Sequence, residues 1–381
     1  MKIAYIYTAL STKGGADRII TFKANYLAER YNYEVYIITD SQNDRPLAFP
    51  LSKKVKHINL DVDFGIQYNY NIIYRFFIYV KLMRDYKKKL SNIILNIKPN
   101  IVISTGGRDL EFITSIRDSS KKIAEIHTIR DSFRNFNLLE KKSIPFKIIA
   151  QYYRKKIDNK IKMLSSLVLL SENDAKSWGK IRDSIVIPNS IPFNTSKLSK
   201  CSNKKVISVG RLSYEKGFDN LIKAWKIVNE KFPDWELNIY GEGILKSKLE
   251  DDIDKYGLTN STKIHNPTND IVDKYIESSI YVMSSTFEGF GLVLAEAMSC
   301  GLPCISFNCP YGPSQIIKDN EDGFLVENGN IEKLADRICF LIANDDLRMK
   351  MGKTGAKNIQ RYSPEIIMPI WNELLENLVK L

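Results

Sequence analysis

The sequence predicts an α/β fold in two domains, each built on a parallel sheet flanked by helices. Three observations carry that expectation. At 381 residues the chain is longer than one hydrophobic core ordinarily grows. Short runs rich in isoleucine and valine alternate with longer amphipathic stretches, which is the pattern of strands buried on both faces and joined by crossover helices. A polar and basic stretch with two prolines, VIPNSIPFNTSKLSKCSNKK (186–205), separates two such series.

In the first series the strands read as KIAYIYT (2–8), EVYIITD (34–40), NIVIST (100–105), KIAEIHT (122–128) and LVLLS (167–171). In the second they read as KVISVG (205–210), WELNIYG (235–241), TKIHN (262–266), IYVMSS (280–285), PCISF (303–307) and GFLVE (323–327). The domain boundary falls near Pro188. A last helix runs from about Pro364, with Ile367, Ile370, Trp371, Leu374, Leu375 and Leu378 on a helical period that requires a packing partner.

Hydrophobic residues at 44% and charged residues at 26% are an ordinary globular mixture. The opening MKIAYIYTAL reads as a first buried strand rather than an export signal. No run reaches the roughly 18 apolar residues that a membrane span needs. The five cysteines, Cys201, Cys300, Cys304, Cys309 and Cys339, are odd in number and scattered, so the expected compartment is reducing, most simply the cytoplasm. Lys+Arg 56 against Asp+Glu 44 gives +12, a balance that suits nucleotides, anionic lipid or nucleic acid.

Three strand-to-helix turns carry residues suited to anion and hydroxyl recognition. Ligands of open α/β sheets sit at the carboxyl ends of the strands, where such turns lie. In SSTFEGFGLVLAEAMSCGLPCI (284–305), Gly289 and Gly291 allow close backbone approach, and the helix opening near Gly291 offers amide donors and a favourable dipole to a phosphate. Glu288 in the turn and Glu296 in the helix are acceptors for sugar and ribose hydroxyls, or else helix-entry charges facing solvent. In VGRLSYEKGFDNLIKAW (209–225), Arg211 and Lys216 can converge on one anion across the loop. Charge-assisted hydrogen bonds of roughly 1.5 to 3 kcal/mol each would stabilise a departing diphosphate. After the first strand, Gly14 and Gly15 form neither a dinucleotide fingerprint nor a lysine-bearing P-loop, which argues against an oxidoreductase. His127, at the end of KIAEIH, is placed where ligands bind.

The combined pattern resembles the retaining glycosyltransferases of family 4. GGADRI, His127, VGRL with EKGFDNLIKAW, the FEGFGLVLAEAMSCGLPCI block and the terminal YSPEIIMPIWNELLENL carry the likeness over nearly the whole chain. The resemblance implies a GT-B fold: an acceptor-binding Rossmann-like domain (1–187), a nucleotide-sugar-binding one (188–362), and a helix (363–381) returning to the first, with the parallel sheets facing an interdomain cleft. It implies that Arg211 and Lys216 bind the donor diphosphate, that Glu296 binds the ribose, and that Glu288 contacts the donor sugar. Gly14, Gly15, Gly289, Phe290, Gly291 and Leu292 complete the donor site, and His127 contacts the sugar near its reacting face. His127, Arg211, Lys216 and Glu288 are the expected catalytic residues.

The implied reaction transfers a hexose or N-acetylhexosamine, with retained configuration and no metal or other cofactor. The expected donor is a UDP-sugar, and the acceptor a saccharide or lipid-linked saccharide of surface polysaccharide biosynthesis. The chain departs from the family in having Asp17 where a glutamate is frequent, Asn266-Pro267 where a glycine is common, and Gln315 where an acid is common.

Asp61-Val62-Asp63 and Asp252-Ile253-Asp254 imitate a metal-binding D-x-D triplet, a short pattern common by chance, and Cys300, Cys304 and Cys309 imitate a ligand cluster but match no standard zinc spacing and have no histidine close in sequence. The segment YNYNIIYRFFIYVKLMRDYKKKL (68–90) interleaves aromatics with a basic end, either a peripheral contact with anionic membrane or a core-packed helix with a basic outer face. The rival readings are a nucleotide-sugar epimerase or hydrolase on the same fold and a basic RNA-binding protein. The latter lacks an RRM or KH signature, and no nucleic-acid partner is expected.

Overall fold

A computed structural model of the chain describes residues 1–136, 144–179, 181–182, 184–193 and 195–380. They divide into two compact units, Met1–Ile187 with Met368–Leu381, and Pro188–Ile367.

In the first unit the described residues form a seven-stranded sheet from β1 (Lys2–Tyr7), β2 (Glu34–Thr39), β3 (Val55–Asn59), β4 (Ile101–Ser104), β5 (Lys121–Glu125), β6 (Ser166–Leu169) and β7 (Ile185–Val186). The order is β3-β2-β1-β4-β5-β6-β7, and every pairing is parallel. β1 pairs in register with β2 on one side (Ile3 with Val35) and β4 on the other (Ile3 with Ile101). The connection from β1 runs to β2 and that from β4 to β5 on the opposite side, so the strand order reverses between β1 and β4, the place where open α/β sheets bind ligands. β4 and β6 are buried throughout and β1 is buried except at its two ends, as a sheet covered on both faces requires. β3 and β7 were not expected from the sequence: each is a sheet edge, and β3 carries only one fully buried residue. β5 ends at Glu125, so His127 lies just beyond the strand rather than on it.

The second unit holds the six strands the sequence indicates: β8 (Lys205–Val209), β9 (Glu236–Tyr240), β10 (Thr262–His265), β11 (Ile280–Met283), β12 (Cys304–Phe307) and β13 (Gly323–Val326). Their order is β10-β9-β8-β11-β12-β13, again all parallel. The helices Phe218–Lys231 and Ile331–Ala343 bring Leu221, Trp225, Val228, Leu334, Ile338 and Leu341 into its core.

The final helix, Pro364–Lys380, passes from one unit to the other between Ile367 and Met368. Its buried stripe is Ile367, Met368, Trp371, Leu375 and Leu378, while Ile370, expected on that stripe, is 40% exposed. Pro369 lies inside the helix. In the first unit Asn372 accepts a hydrogen bond from the Tyr33 hydroxyl at 2.6 Å, and the Trp371 ring lies 4.2 Å from the Lys23 ammonium.

Candidate active site

In the second unit, β8 and β11 lie side by side, and the connections leave this pair toward opposite edges of the sheet. The loops that follow, 210–217 and 284–291, are interlocked. The Thr286 amide donates to the Glu215 carbonyl at 2.9 Å, and the Ser284 hydroxyl to the Lys216 carbonyl at 3.0 Å. Gly217, with φ +59°, packs so closely that a Cβ there would collide with the Ser284 carbonyl oxygen.

This interlock brings two charges together. Lys216 Nζ reaches Glu288 Oε1 at 2.5 Å, and the Ser285 hydroxyl donates to the same oxygen at 2.7 Å. The two side chains are 22% and 10% exposed, so the pair lies at the rim of the unit rather than in its core. Arg211, in the same loop as Lys216, is exposed. Gly291, at φ +88°, makes the left-handed turn that starts the helix Leu292–Ser299 immediately after Glu288 and Gly289. Phe290 is anchored edge-on to Tyr362 with ring centroids 5.3 Å apart, and Leu292 is buried. Glu296 is 2% exposed and accepts from the Tyr275 hydroxyl at 3.3 Å. Neither glutamate is the solvent-facing helix-entry charge that the sequence left open.

In the first unit, Gly14 caps the helix Gly15–Arg30 with φ −83°, an extended conformation open to any residue. The loop before it is braced by Asp17, which accepts from the Tyr7 hydroxyl at 2.6 Å and from the Thr12 amide and hydroxyl at 2.8 and 2.9 Å. His127 Nε2 lies 3.1 Å from Glu125 Oε1, the oxygen that also pairs with Lys23. Burial by itself raises the Glu125 pKa, but the Lys23 ammonium and His127 outweigh it and hold the carboxyl at about 2.

Several residues of these neighbourhoods were not singled out by the sequence reading: Lys23, Glu125, Ser285 and Tyr275. A stacked Tyr240–His265 pair, with centroids 4.5 Å apart at the ends of β9 and β10, was also missed. Lys23 and Glu125 did carry a signal, since each interrupts an otherwise apolar buried run.

The imitation motifs have structural roles. Asp63 accepts from the Gly65 amide at 2.8 Å, and Asp252 lies inside the helix Lys246–Lys255. Cys304 and Cys309 are buried, which pushes the Cys309 thiol up to about 12. Among the described residues no three His, Cys, Asp or Glu side chains group as a metal site.

Residues 193–358 match the family model described as Glycosyl transferases group 1. An uncharacterized glycosyltransferase of Haemophilus influenzae is 29% identical over 98% of this chain and 99% of its own length. The amylovoran biosynthesis glycosyltransferase AmsD of Erwinia amylovora is 33% identical over 56% of this chain, an alignment that spans 62% of that protein. Among solved structures, a mutant of S. aureus TarM in complex with Fondaparinux, alpha-GlcNAc-glycerol and UDP superposes with a TM-score of 0.77, covering 98% of this chain and 99% of that one at 18% identity. The chain therefore has the two Rossmann-like units of the GT-B fold, and its residues 193–358 are similar to the glycosyl transferases group 1 family.

Proposed function

We propose that this protein is a retaining family 4 glycosyltransferase that moves a hexose or N-acetylhexosamine from a UDP-sugar to a saccharide or lipid-linked saccharide in surface polysaccharide biosynthesis. The observation that carries the reading is the Lys216–Glu288 pair, set beside a glycine-opened helix start where β8 and β11 diverge. A lysine and a carboxylate held together at the rim can separate their tasks on binding, the ammonium taking diphosphate oxygens and the carboxylate sugar hydroxyls. Arg211 adds a second cation, and Glu296 is assigned the ribose. A relative named for amylovoran biosynthesis and a fold neighbour crystallised with UDP support the donor and pathway class.

In this reaction the bond from C1 to the diphosphate breaks, the bond from C1 to the acceptor oxygen forms on the same face, and the acceptor proton passes to the leaving phosphate. Lys216, Arg211 and the helix start stabilise the charge that develops on the diphosphate, the task a divalent ion performs in metal-dependent transferases. In the first unit, His127 is assigned sugar hydroxyls and the Gly14–Gly15 turn phosphate oxygens.

The test is nucleotide release by the purified chain across UDP-, GDP- and ADP-sugars with EDTA present. Release from one UDP-sugar, stimulated by a saccharide or lipid-linked acceptor, is expected. Acceptor-independent release would favour the hydrolase, and loss of release on adding EDTA would end the metal-independent reading.

The first unit is also proposed to touch anionic membrane at the inner face of the cell. The helix Ile72–Ile97 exposes Tyr74, Phe76 and Phe77 at 63, 58 and 65%, together with Lys81, Arg84, Lys87 and Lys88. The helix Ile144–Lys162 adds Ile144, Ile148 and Tyr152 at 75, 61 and 67%. No helix among the described residues is long and apolar enough to cross a membrane. Cosedimentation with phosphatidylglycerol vesicles, lost at high salt and in Phe76→Ser/Phe77→Ser, is the expected result. Equal binding to phosphatidylcholine, or none to either lipid, would refute it.

A further inference from the structure

Glu288 is held at one oxygen by two donors. The Lys216 ammonium and the Ser285 hydroxyl both reach Oε1, at 2.5 and 2.7 Å. Among the described residues no other donor meets the carboxylate, so Oε2 is the oxygen open to a ligand. The base of the side chain is fixed as well. A Cβ on Gly312 would stand 3.1 Å from the Glu288 Cβ, so the loop that follows β12 packs directly against it.

Three consecutive hydroxyl residues follow β11, and their bonds differ. Ser284 donates to the Lys216 carbonyl at 3.0 Å and Thr286 to the Glu215 carbonyl at 3.3 Å, so both lock the two loops together. Ser285 lies between them, 2% exposed, and gives its hydroxyl to the carboxylate instead. Two donors on one oxygen set the rotation of a carboxylate and leave the other oxygen as an acceptor. When a diphosphate draws the ammonium away, the serine is the donor that stays on Oε1. With a nucleoside diphosphate alone, water fills the place of the sugar and hydrates the carboxylate. A nucleotide-sugar displaces that water, and without the serine Oε1 would then lack any donor.

We infer that Ser285 is a positioning residue for the proposed transfer: it holds Glu288 Oε1 so that Oε2 accepts a hydroxyl hydrogen of the donor sugar while Lys216 turns to the diphosphate. The inference rests on the assignments of Glu288 to the sugar and Lys216 to the diphosphate made above.

The test compares UDP with the UDP-sugar that releases nucleotide in the donor panel, using the full chain. Ser285→Ala is expected to lower kcat/KM for the UDP-sugar about tenfold and to change the inhibition constant of UDP less than about twofold. Its melting temperature stays near wild type, because Lys216 still pairs with the carboxylate in the free protein. Ser284→Ala is the control for a loosened loop: it lowers the melting temperature and weakens UDP and the UDP-sugar alike. In a Glu288→Ala background the serine has no carboxylate to hold, and adding Ser285→Ala costs less than about twofold more.

Equal losses with UDP and the UDP-sugar in Ser285→Ala, wild-type kcat/KM in that variant, or an undiminished loss on adding it to Glu288→Ala would overturn the inference and leave the transferase reading standing. Absence of nucleotide release from every UDP-sugar by the wild-type chain is a different result: it refutes the transferase reading, and the inference falls with it.

Discussion

Lys216→Ala is expected to lower donor turnover by about two to three powers of ten, the largest loss of any single substitution at the candidate site. Two effects add. One charge-assisted hydrogen bond to the leaving diphosphate is worth roughly 1.5 to 3 kcal/mol, or about one to two powers of ten in rate. The same truncation strips Glu288 of its counter-ion, 2.5 Å away, leaving a carboxylate on a side chain that is 10% exposed, with Ser285 as a polar contact that stays. A carboxylate so placed disfavours the incoming diphosphate. Arg211→Ala separates the two effects: Arg211 is exposed, so its loss weakens donor use with the melting temperature unchanged. Glu296→Ala weakens donor affinity through the ribose. Steady-state kinetics with the nucleotide-sugar read all three, and unchanged donor parameters in every one of them would sink the site.

The largest stability effect is expected from Trp371→Ala. Trp371 is 1% exposed and supplies the ring face over the Lys23 ammonium. Truncating a buried aromatic costs about 3 to 5 kcal/mol through lost burial and the cavity left behind. Loss of the cation–π contact at a desolvated lysine adds about 2 kcal/mol. The damage belongs to the first unit, because the residues from Met368 onward are counted with it. In urea denaturation the transition of the first unit should therefore move to lower denaturant while that of the second, followed by Trp225 and Trp235, stays in place. Trp371→Phe should retain most of the stability. An unshifted first transition in Trp371→Ala would refute the packing of this helix on the first unit.

The second sheet was legible because its inner strands are largely buried apolar runs, as in Lys205–Val209 and Ile280–Met283, and the edge strand Thr262–His265, which buries only Thr262, is bracketed by turns. Val55–Asn59 escaped because an edge strand needs no such run, and Lys56 on it faces solvent and pairs with Glu34. Gly291 was readable as the start of a helix, since a glycine between a strand and an apolar helix has few other uses. The meeting of Lys216 with Glu288 was not readable, because it depends on β8 and β11 being neighbours, a matter of strand order that no local pattern encodes. Lys23 and Glu125 fall between these cases. Lys23 sits on the stripe of Ile19, Ile20, Ala24 and Leu27, and Glu125 on the buried run of β5, so each position marks a buried charge while its partner is fixed only by the sheet.

The passage of the last helix into the first unit has a consequence during synthesis. A ribosome that has made residue 187 has supplied every strand of the first sheet but not Trp371, which covers Lys23. At ~5–20 residues per second, about 10 to 40 seconds pass before that residue is translated. Throughout that interval the nascent first half holds a bare apolar seam and a half-covered ammonium beside its histidine. The unit begun first is thus the one finished last, and translation of the last helix itself becomes the step that covers Lys23.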